Sequence, residues 1–337
     1  MTMPTVSVVI ATYNRAALLR ATLDRLREQD YLPGDEVIVV DNGSTDATGA
    51  VIAQAAATFP VPLVGLVEST PGKSWALNAA IAKAQGAILA LTDDDVLVAS
   101  DWIATIRKIF TESPVALVGG RVDPNWERPA PAWLRFEENG QYGPMSSPLA
   151  LLHYGETQEL GTRTAVGANM AIRASVLASL GGFAPHLGRR RGTLLSGEDH
   201  DLCQRAVASG LRCEYRPEVR VRHWVPAGRA SFRYYWRWFF WSGITQAQMS
   251  ERLDVRHFWG RLLRGPMMAL RCLVAGRRAD AANRSFDVAF AAGYLAARIR
   301  TARVPRRDAL TGTTAASGAI PESGRVAATL LKGPGRS

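Results

Sequence analysis

Three consecutive carboxylates, Asp93-Asp94-Asp95, follow the apolar run Ile88-Leu89-Ala90-Leu91 after a single threonine. Such a run reads as a buried strand, so the like charges collect at its end. At ~4 Å their repulsion costs roughly 1 kcal/mol in water and several-fold more near a protein surface. A divalent cation is the simplest neutraliser; a solvated acidic turn is the plainer alternative. A second acidic pair stands in Gly197-Glu198-Asp199, at the start of a helix-spaced segment. A carboxylate there can take a proton from a hydroxyl, or it can simply complement the helix macrodipole, an effect of only ~0.3–1 kcal/mol. Asp201 fits the second description. Asp41 closes another apolar run, where it can receive hydrogen bonds from a ligand or cap the turn Asp41-Asn42-Gly43-Ser44.

These residues need a scaffold that brings distant strand ends together. Short apolar runs occur at Val6–Ile10, Glu36–Val40, Leu63–Val67, Ala87–Leu91 and Val115–Val118. Segments of helical spacing lie between them at Ala16–Gln29, Ala47–Thr58, Ser74–Ala84 and Ser100–Phe110. Alternation of this kind predicts an α/β fold, Rossmann-like, with a mostly parallel sheet covered by helices on both faces. Right-handed crossovers then set the strand ends along one edge, where open α/β sheets bind ligands. The polar segments Thr12-Tyr13-Asn14-Arg15, Asp41–Asp46, Glu68–Ser74 and Asp93–Asp95 all fall at that edge. No G-x-G-x-x-G follows the first strand, which argues against a nicotinamide or flavin enzyme.

Residues 123–163 interrupt the alternation with Pro, Gly and aromatic residues and read as an insertion over the site that carries acceptor specificity. The pattern resumes at Ala165–Ile172, a short helix near Ser175–Leu180, the loop Gly181-Gly182-Phe183, a helix from Glu198 to Ser209, and a strand-like pair ending in Val219–Trp224. From Ser231 the chain becomes rich in aromatic residues and arginine, followed by helical segments near Phe258–Val274 and Ala281–Ile299. Residues 304–337 have the composition of a disordered tail.

The bulk numbers exclude little but are consistent. With 337 residues, 47% hydrophobic and 21% charged, the chain can bury a substantial core. Residues 1–100 carry six basic and eleven acidic side chains, a balance of −5, so of the net +10 the remainder carries +15. That basic part could meet nucleic acid, anionic lipid or a phosphorylated substrate. Cys203, Cys213 and Cys272 suit neither a disulfide framework nor a metal-ligand spacing, and they read as reduced thiols of a cytoplasmic protein. The N-terminus lacks the pattern of a secretory signal, and neither late helical segment reaches the ~18 uninterrupted apolar residues of a membrane span.

The stretches VSVVIATYNR, EVIVVDNGSTD, GKSWALNAAIAKAQGAILALTDDD, ANMAIR with GGF, GEDHDLCQR and the later RH together resemble the family-2 inverting glycosyltransferases of the GT-A fold. The likeness runs over roughly residues 5–224. It implies that Thr12, Tyr13 and Arg15 line a nucleotide pocket, that Asp41 contacts the base, and that Lys73 lies by the base or phosphates. Asp93 would hold the ribose or the metal region, with Asp94 on the nucleotide-sugar side. Asp95 would coordinate Mg²⁺ or Mn²⁺ with Asp93 and His223 nearby. Asp199 would be the catalytic base, with Glu198 positioning the acceptor or the metal region.

Two departures accompany it. Asp94 stands where many relatives have a small residue, and Leu77 stands where some have arginine. The resemblance implies a metal-dependent transfer of sugar from a nucleotide-diphosphate donor, UDP-linked first among them, to a glycan or lipid-linked saccharide in surface polysaccharide synthesis. Arg229, Arg233 and Arg237 are candidates for phosphate or acceptor contacts, or members of a basic amphipathic helix, the reading that suits Arg233 better. In this reading residues 1–228 form the transferase domain and 229–303 an aromatic, basic helical extension. Its stretch Phe232–Trp241 fits core packing, an acceptor-binding wall, or an element at the surface of an anionic membrane, the last placing it at the inner face of the cell membrane; no nucleic-acid partner is expected. The rival readings are a sugar nucleotidyltransferase and a basic nucleic-acid-binding module, the latter leaving the acidic crevice unexplained.

Overall fold

A computed structural model of the chain describes residues 3–249 and 255–303; the tail expected over 304–337 lies outside them. The chain divides into two compact units, Met1–Tyr234 and Tyr235–Ser337. The first unit opens with β1 (Val6–Thr12), α1 (Ala16–Arg27), β2 (Glu36–Asp41), α2 (Thr48–Ala56), β3 (Leu63–Val67), α3 (Lys73–Ile81), β4 (Ile88–Asp93), β5 (Val96–Val98), α4 (Trp102–Glu112) and β6 (Leu117–Trp126). A small hairpin, β7 (Glu137–Glu138) and β8 (Gln141–Tyr142), and a 3-10 turn at Pro144–Leu149 follow. Then come β9 (Gln158–Glu159), β10 (Asn169–Arg173), α5 (Ala174–Ser179), α6 (Glu198–Ala208) and β11 (Cys213–Val225).

β1 to β4 form the parallel half of the main sheet, in the order β3-β2-β1-β4. β1, β2 and β4 are near-continuous apolar runs because both faces are buried. Their register sets the functional edge. In β1, Thr12 lies beside Asp41 of β2, and Ala11 lies beside Asp93 of β4. Two acidic residues far apart in sequence thus leave the sheet together.

Beyond β4 the order continues β10-β6-β11-β5. Here the alternation reading is incomplete: β10 runs antiparallel to both of its neighbours, β4 and β6. It is held there by buried Asn169, whose amide donates to Arg121 O and Val219 O at 2.9 Å each while accepting from Trp102 Nε1 at 2.8 Å. The strand pair expected before His223 is a single long strand, β11, parallel to β6 with a register shift between Arg216 and Arg220. Pro217, which has no N–H to donate, lies inside that shift. β6 likewise extends past Val118 into the expected insertion.

The remainder of that insertion is organised by rings. Phe136 meets Tyr142 edge-on at 5.1 Å, Tyr142 meets His153 at 5.5 Å, and His153 Nδ1 lies 2.9 Å from the Tyr215 hydroxyl. The second unit comprises the rest of α7 (Phe232–Met249), α8 (Val255–Val274) and α9 (Arg278–Arg303). Its core gathers Ala247, Phe258, Ala291, Tyr294 and Leu295, with Phe258 stacked on Tyr294 at 4.1 Å.

Candidate active site

The acidic triplet is the hub of the polar edge. β4 ends at Asp93, the chain turns through Asp94 and Asp95, and β5 begins at Val96. β5 pairs antiparallel with β11, placing His223 beside Val96, and the Trp224 N–H donates to Asp95 O at 2.8 Å. A two-strand ladder therefore fixes the turn to the histidine.

Each carboxylate has its own partners. Lys73 Nζ, from the first turn of α3, donates to Asp93 Oδ1 at 2.6 Å. Thr12 Oγ1 donates to Asp94 Oδ2 at 2.7 Å, and Arg15 Nη1 bridges Asp94 Oδ1, at 2.9 Å, and Asp95 Oδ2. His223 Nε2 lies 3.2 Å from Asp95 Oδ1, and Arg229 Nη2 lies 3.6 Å from Asp95 Oδ2.

The charges follow from these contacts. Burial resists ionisation of Asp93, but Lys73 holds its carboxyl below the usual range. Burial acts the same way on Asp95, and there His223, Arg15 and Arg229 hold it far below. Burial pushes Asp94 up to about 6, with Arg15 pulling the other way and Asp95 adding to the rise. The triplet is thus two firmly charged carboxylates flanking one that titrates readily.

This donor set fits a cation. Ligand atoms of Asp93, Asp95 and His223 lie within 4.8 Å of one another. His223 Nδ1 is buried without a hydrogen-bond partner, and Asp95 Oδ1 has the His223 imidazole beside it; a buried polar atom left unpaired is costly unless something answers it. Two carboxylates and an imidazole are donors that a divalent cation accepts.

Glu198 and Asp199 open α6, following Gly197. Asp199 Oδ2 accepts from the Gly167 N–H at 2.7 Å, while Asp199 Oδ1 is buried with no partner. Only glycine permits this approach, because a Cβ at 167 would stand 2.8 Å from Asp199 Oδ1. Burial raises the Asp199 carboxyl, opposed by Lys73 and the Gly167 amide. Burial also pushes Glu198 up to about 7, with the Asp199 charge adding to it and Lys73 opposing. Lys73 itself is driven towards the charged form: burial disfavours its charge, but Asp93, Asp199 and Glu198 together prevail. One ammonium therefore bonds to Asp93 and lies within electrostatic reach of Glu198 and Asp199.

The loops around this centre are fastened to each other. Asn42 Nδ2 donates to Glu68 O and Thr70 O, and Asn42 Oδ1 accepts from the Gly72 N–H, all at 2.8 Å. Asn14 Oδ1 accepts from Thr45 N–H at 2.7 Å. Asn78 holds the Gly181-Gly182-Phe183 loop by paired 2.9 Å bonds to the Phe183 backbone.

A glycosyl transferase family 2 model matches residues 7–181. The chain belongs to glycosyl transferase family 2. Among curated relatives, it is 28% identical over 221 residues to glycosyltransferase AglE of Haloferax volcanii, and 29% identical over 222 residues to the O-antigen chain rhamnosyltransferase RfbN of Salmonella typhimurium. Each match takes in 65% of this chain and 66% of the relative, just under two thirds of its length. The fold is also that of solved glycosyltransferases. Mannosyltransferase PcManGT of Pyrobaculum calidifontis, in complex with GDP-Man and Mn²⁺, superposes with a TM-score of 0.55 at 24% identity, over 90% of this chain and 77% of its own. GalNAc-T7 with UDP, GalNAc and Mn²⁺ gives a TM-score of 0.52 at 18% identity, over 66% of this chain and 43% of its own. The GT-A architecture, a mostly parallel sheet with surrounding helices and a helical C-terminal region, is therefore shown. The match to residues 7–181 covers the acidic edge that a nucleic-acid-binding module leaves unexplained.

Within this family-2 transferase, the structure gathers Thr12, Arg15, Lys73, Asp93, Asp94, Asp95, His223, Glu198 and Asp199 around one centre. Tyr13 and Asp41 lie further out. Tyr13 is partly exposed beneath the Arg191 guanidinium, 4.3 Å from the ring centroid. Asp41 Oδ1 accepts from the Ser44 N–H at 2.8 Å, the turn-capping contact. Leu77 is buried in the core, so no phosphate contact arises from that position. Arg229 joins Asp95, whereas Arg233 and Arg237 are exposed on α7. Asp201, in the first turn of α6, pairs with Arg205 one helical turn on.

The loop before α6 holds residues that sequence reasoning left unnamed. Arg189 O accepts from the Lys73 N–H at 3.0 Å. Arg191 Nη2 donates to Asn42 O and Gly43 O at 3.2 and 3.1 Å while covering Tyr13. The available signal was the run Arg189-Arg190-Arg191 shortly before the Gly-Glu-Asp motif.

Proposed function

We propose that this protein transfers a sugar from a nucleoside-diphosphate sugar, taken first to be a UDP-sugar, to a hydroxyl of a glycan or lipid-linked saccharide by single displacement with inversion. The observation that carries this reading is the buried Asp199, whose Oδ1 is unpartnered and whose charge is favoured by Lys73, the residue that donates to Asp93 of the acidic triplet. Asp93, Asp95 and His223 would hold Mg²⁺ or Mn²⁺. The cation would supply Lewis-acid stabilisation of the charge that develops on the leaving diphosphate.

The chain's own groups do the rest. Asp199 takes the proton of the acceptor hydroxyl through Oδ1, while the Gly167 amide fixes its other oxygen. Lys73 opposes the rise that burial imposes on Asp199, and its positive charge would also offset charge on the donor phosphates. Thr12 and Arg15 hold the triplet's geometry so that the donor side needs little reorganisation. Arg191 on Tyr13 forms a cationic, aromatic wall beside Asp41 that suits a nucleobase. The aromatic insertion supplies acceptor contacts, and a role in surface polysaccharide synthesis agrees with the name of the O-antigen rhamnosyltransferase relative.

The test is release of nucleoside diphosphate from a panel of UDP-, GDP- and dTDP-sugars with lipid-linked saccharide acceptors, with Mn²⁺, with Mg²⁺ or with chelator. The reading requires acceptor-dependent release that the chelator stops, giving a product of inverted anomeric configuration. A retained configuration, or full activity in chelator, would overturn it.

A further inference from the structure

Helix α8 has two apolar faces, and among the described residues only one is packed. Phe258 and Leu262 pack into the core of the second unit against Tyr294 and Leu295 of α9. Gly265 lets the helices close, since a Cβ there would meet Val288 Cγ2 at 2.3 Å. At 100° per residue, a different arc carries Trp259, Leu263, Met267, Leu270, Leu273 and Val274, spanning roughly a third of the helix circumference. All six are exposed, Leu263 at 75% and Val274 at 82%. Scattered apolar residues are ordinary on a surface, but six large ones on one arc are not.

The charge beside this stripe has one sign. α8 contains no Asp or Glu. Arg264 and Arg271 are exposed along one border of the stripe, and Arg278 follows just after the helix. No helix of the described residues is long and apolar enough to cross a bilayer. Apolar residues on one arc with arginines at its border are the pattern of a helix lying in the interfacial plane. We infer that α8 docks on the surface of a membrane containing anionic lipid, with the Trp259–Val274 stripe against the acyl region and Arg264 and Arg271 among the headgroups.

The occupant follows from the charges. Two copies meeting through this face would bring Arg264 and Arg271 together with no acidic residue on the helix to answer them. A nucleic acid would leave the apolar stripe without a counterpart. In α7, by contrast, Tyr235 and Phe239 are buried, and Phe239 stacks on Phe286 of α9 at 5.3 Å.

The test is co-sedimentation of the full chain with vesicles of phosphatidylcholine alone or mixed with phosphatidylglycerol, at low and high salt. The wild type should partition onto the mixed vesicles and leave the neutral ones. The Leu263→Glu/Leu270→Glu variant should bind about tenfold or more weakly, with its melting temperature and helical circular dichroism retained. An Arg264→Glu/Arg271→Glu variant provides a second arm and should lose the dependence on anionic lipid. Undiminished binding by both variants would overturn the proposal, as would equal binding to neutral vesicles. A dimer of the free protein that Leu263→Glu dissociates, or binding to duplex DNA with none to vesicles, would overturn it too.

Discussion

The two acidic centres use the same kind of side chain to opposite ends. Around Asp93-Asp94-Asp95, Lys73, Arg15, His223 and Arg229 crowd the carboxylates, and Asp93 and Asp95 are held charged despite burial. Around Glu198 and Asp199 the positive charge is shared and thinner, burial prevails, and both carboxyls are raised. The first arrangement suits holding a fixed charge against a cation and a diphosphate. The second suits a group that must gain and lose a proton. What separates them is the local density of cations.

The largest expected effect comes from removing the proton acceptor. Asp199→Asn should lower kcat by about 10²–10⁴-fold while the protein remains folded. Steady-state turnover beside thermal unfolding checks this, and unchanged turnover would remove Asp199 from the role. Next in size is the triplet. Asp95→Asn should cost about 10²-fold or more in rate and should abolish any response of activity to added Mn²⁺; a full Mn²⁺ response in that variant would move the cation elsewhere.

A smaller effect should appear in stability rather than rate. Arg15→Ala leaves Asp94 and Asp95 short of a cation. Because Arg15 is about one-third exposed, the loss should be about 1–3 kcal/mol rather than that of a fully buried pair. Denaturant unfolding measures it, and added divalent cation should recover part of it. The mildest effect is that of pH. Burial raises the Asp199 carboxyl, so protonation removes the base and kcat/KM should fall with decreasing pH from a higher pH than an ordinary aspartate would give. Donor binding, which rests on the firmly charged Asp93 and Asp95, should stay level across the same range. A parallel fall in both would erase the contrast between the centres.

Much of this was legible in the sequence for local reasons. Apolar runs buried on both faces reveal β1, β2 and β4, and carboxylates at their ends mark the edge. Motifs such as Gly-Glu-Asp and Asn78 with Gly181-Gly182-Phe183 carried the resemblance, and the structure shows the contacts behind them. What stayed hidden depends on distant pairing. The reversed direction of β10 rests on Asn169 reaching Arg121 and Val219, and no periodicity encodes that. β5 is only three residues long and exists through β11. The bridge from Arg15 to Asp94 and Asp95 spans about eighty residues, and Arg191 reaches Asn42 from even further along the chain. Basic residues in loops declare nothing about which carboxylate or carbonyl they will meet.

The division of labour between the centres is tested most directly by thermal shift with nucleoside diphosphate, with and without Mn²⁺, on the wild type, Asp95→Asn and Asp199→Asn. A ligand at a hundred times its dissociation constant adds about 2.7 kcal/mol of stability, an easily measured shift. The wild type and Asp199→Asn should both show a Mn²⁺-dependent shift with the diphosphate, and Asp95→Asn should not. If Asp95→Asn keeps the shift, or Asp199→Asn loses it, the assignment of holding to one centre and proton transfer to the other is wrong.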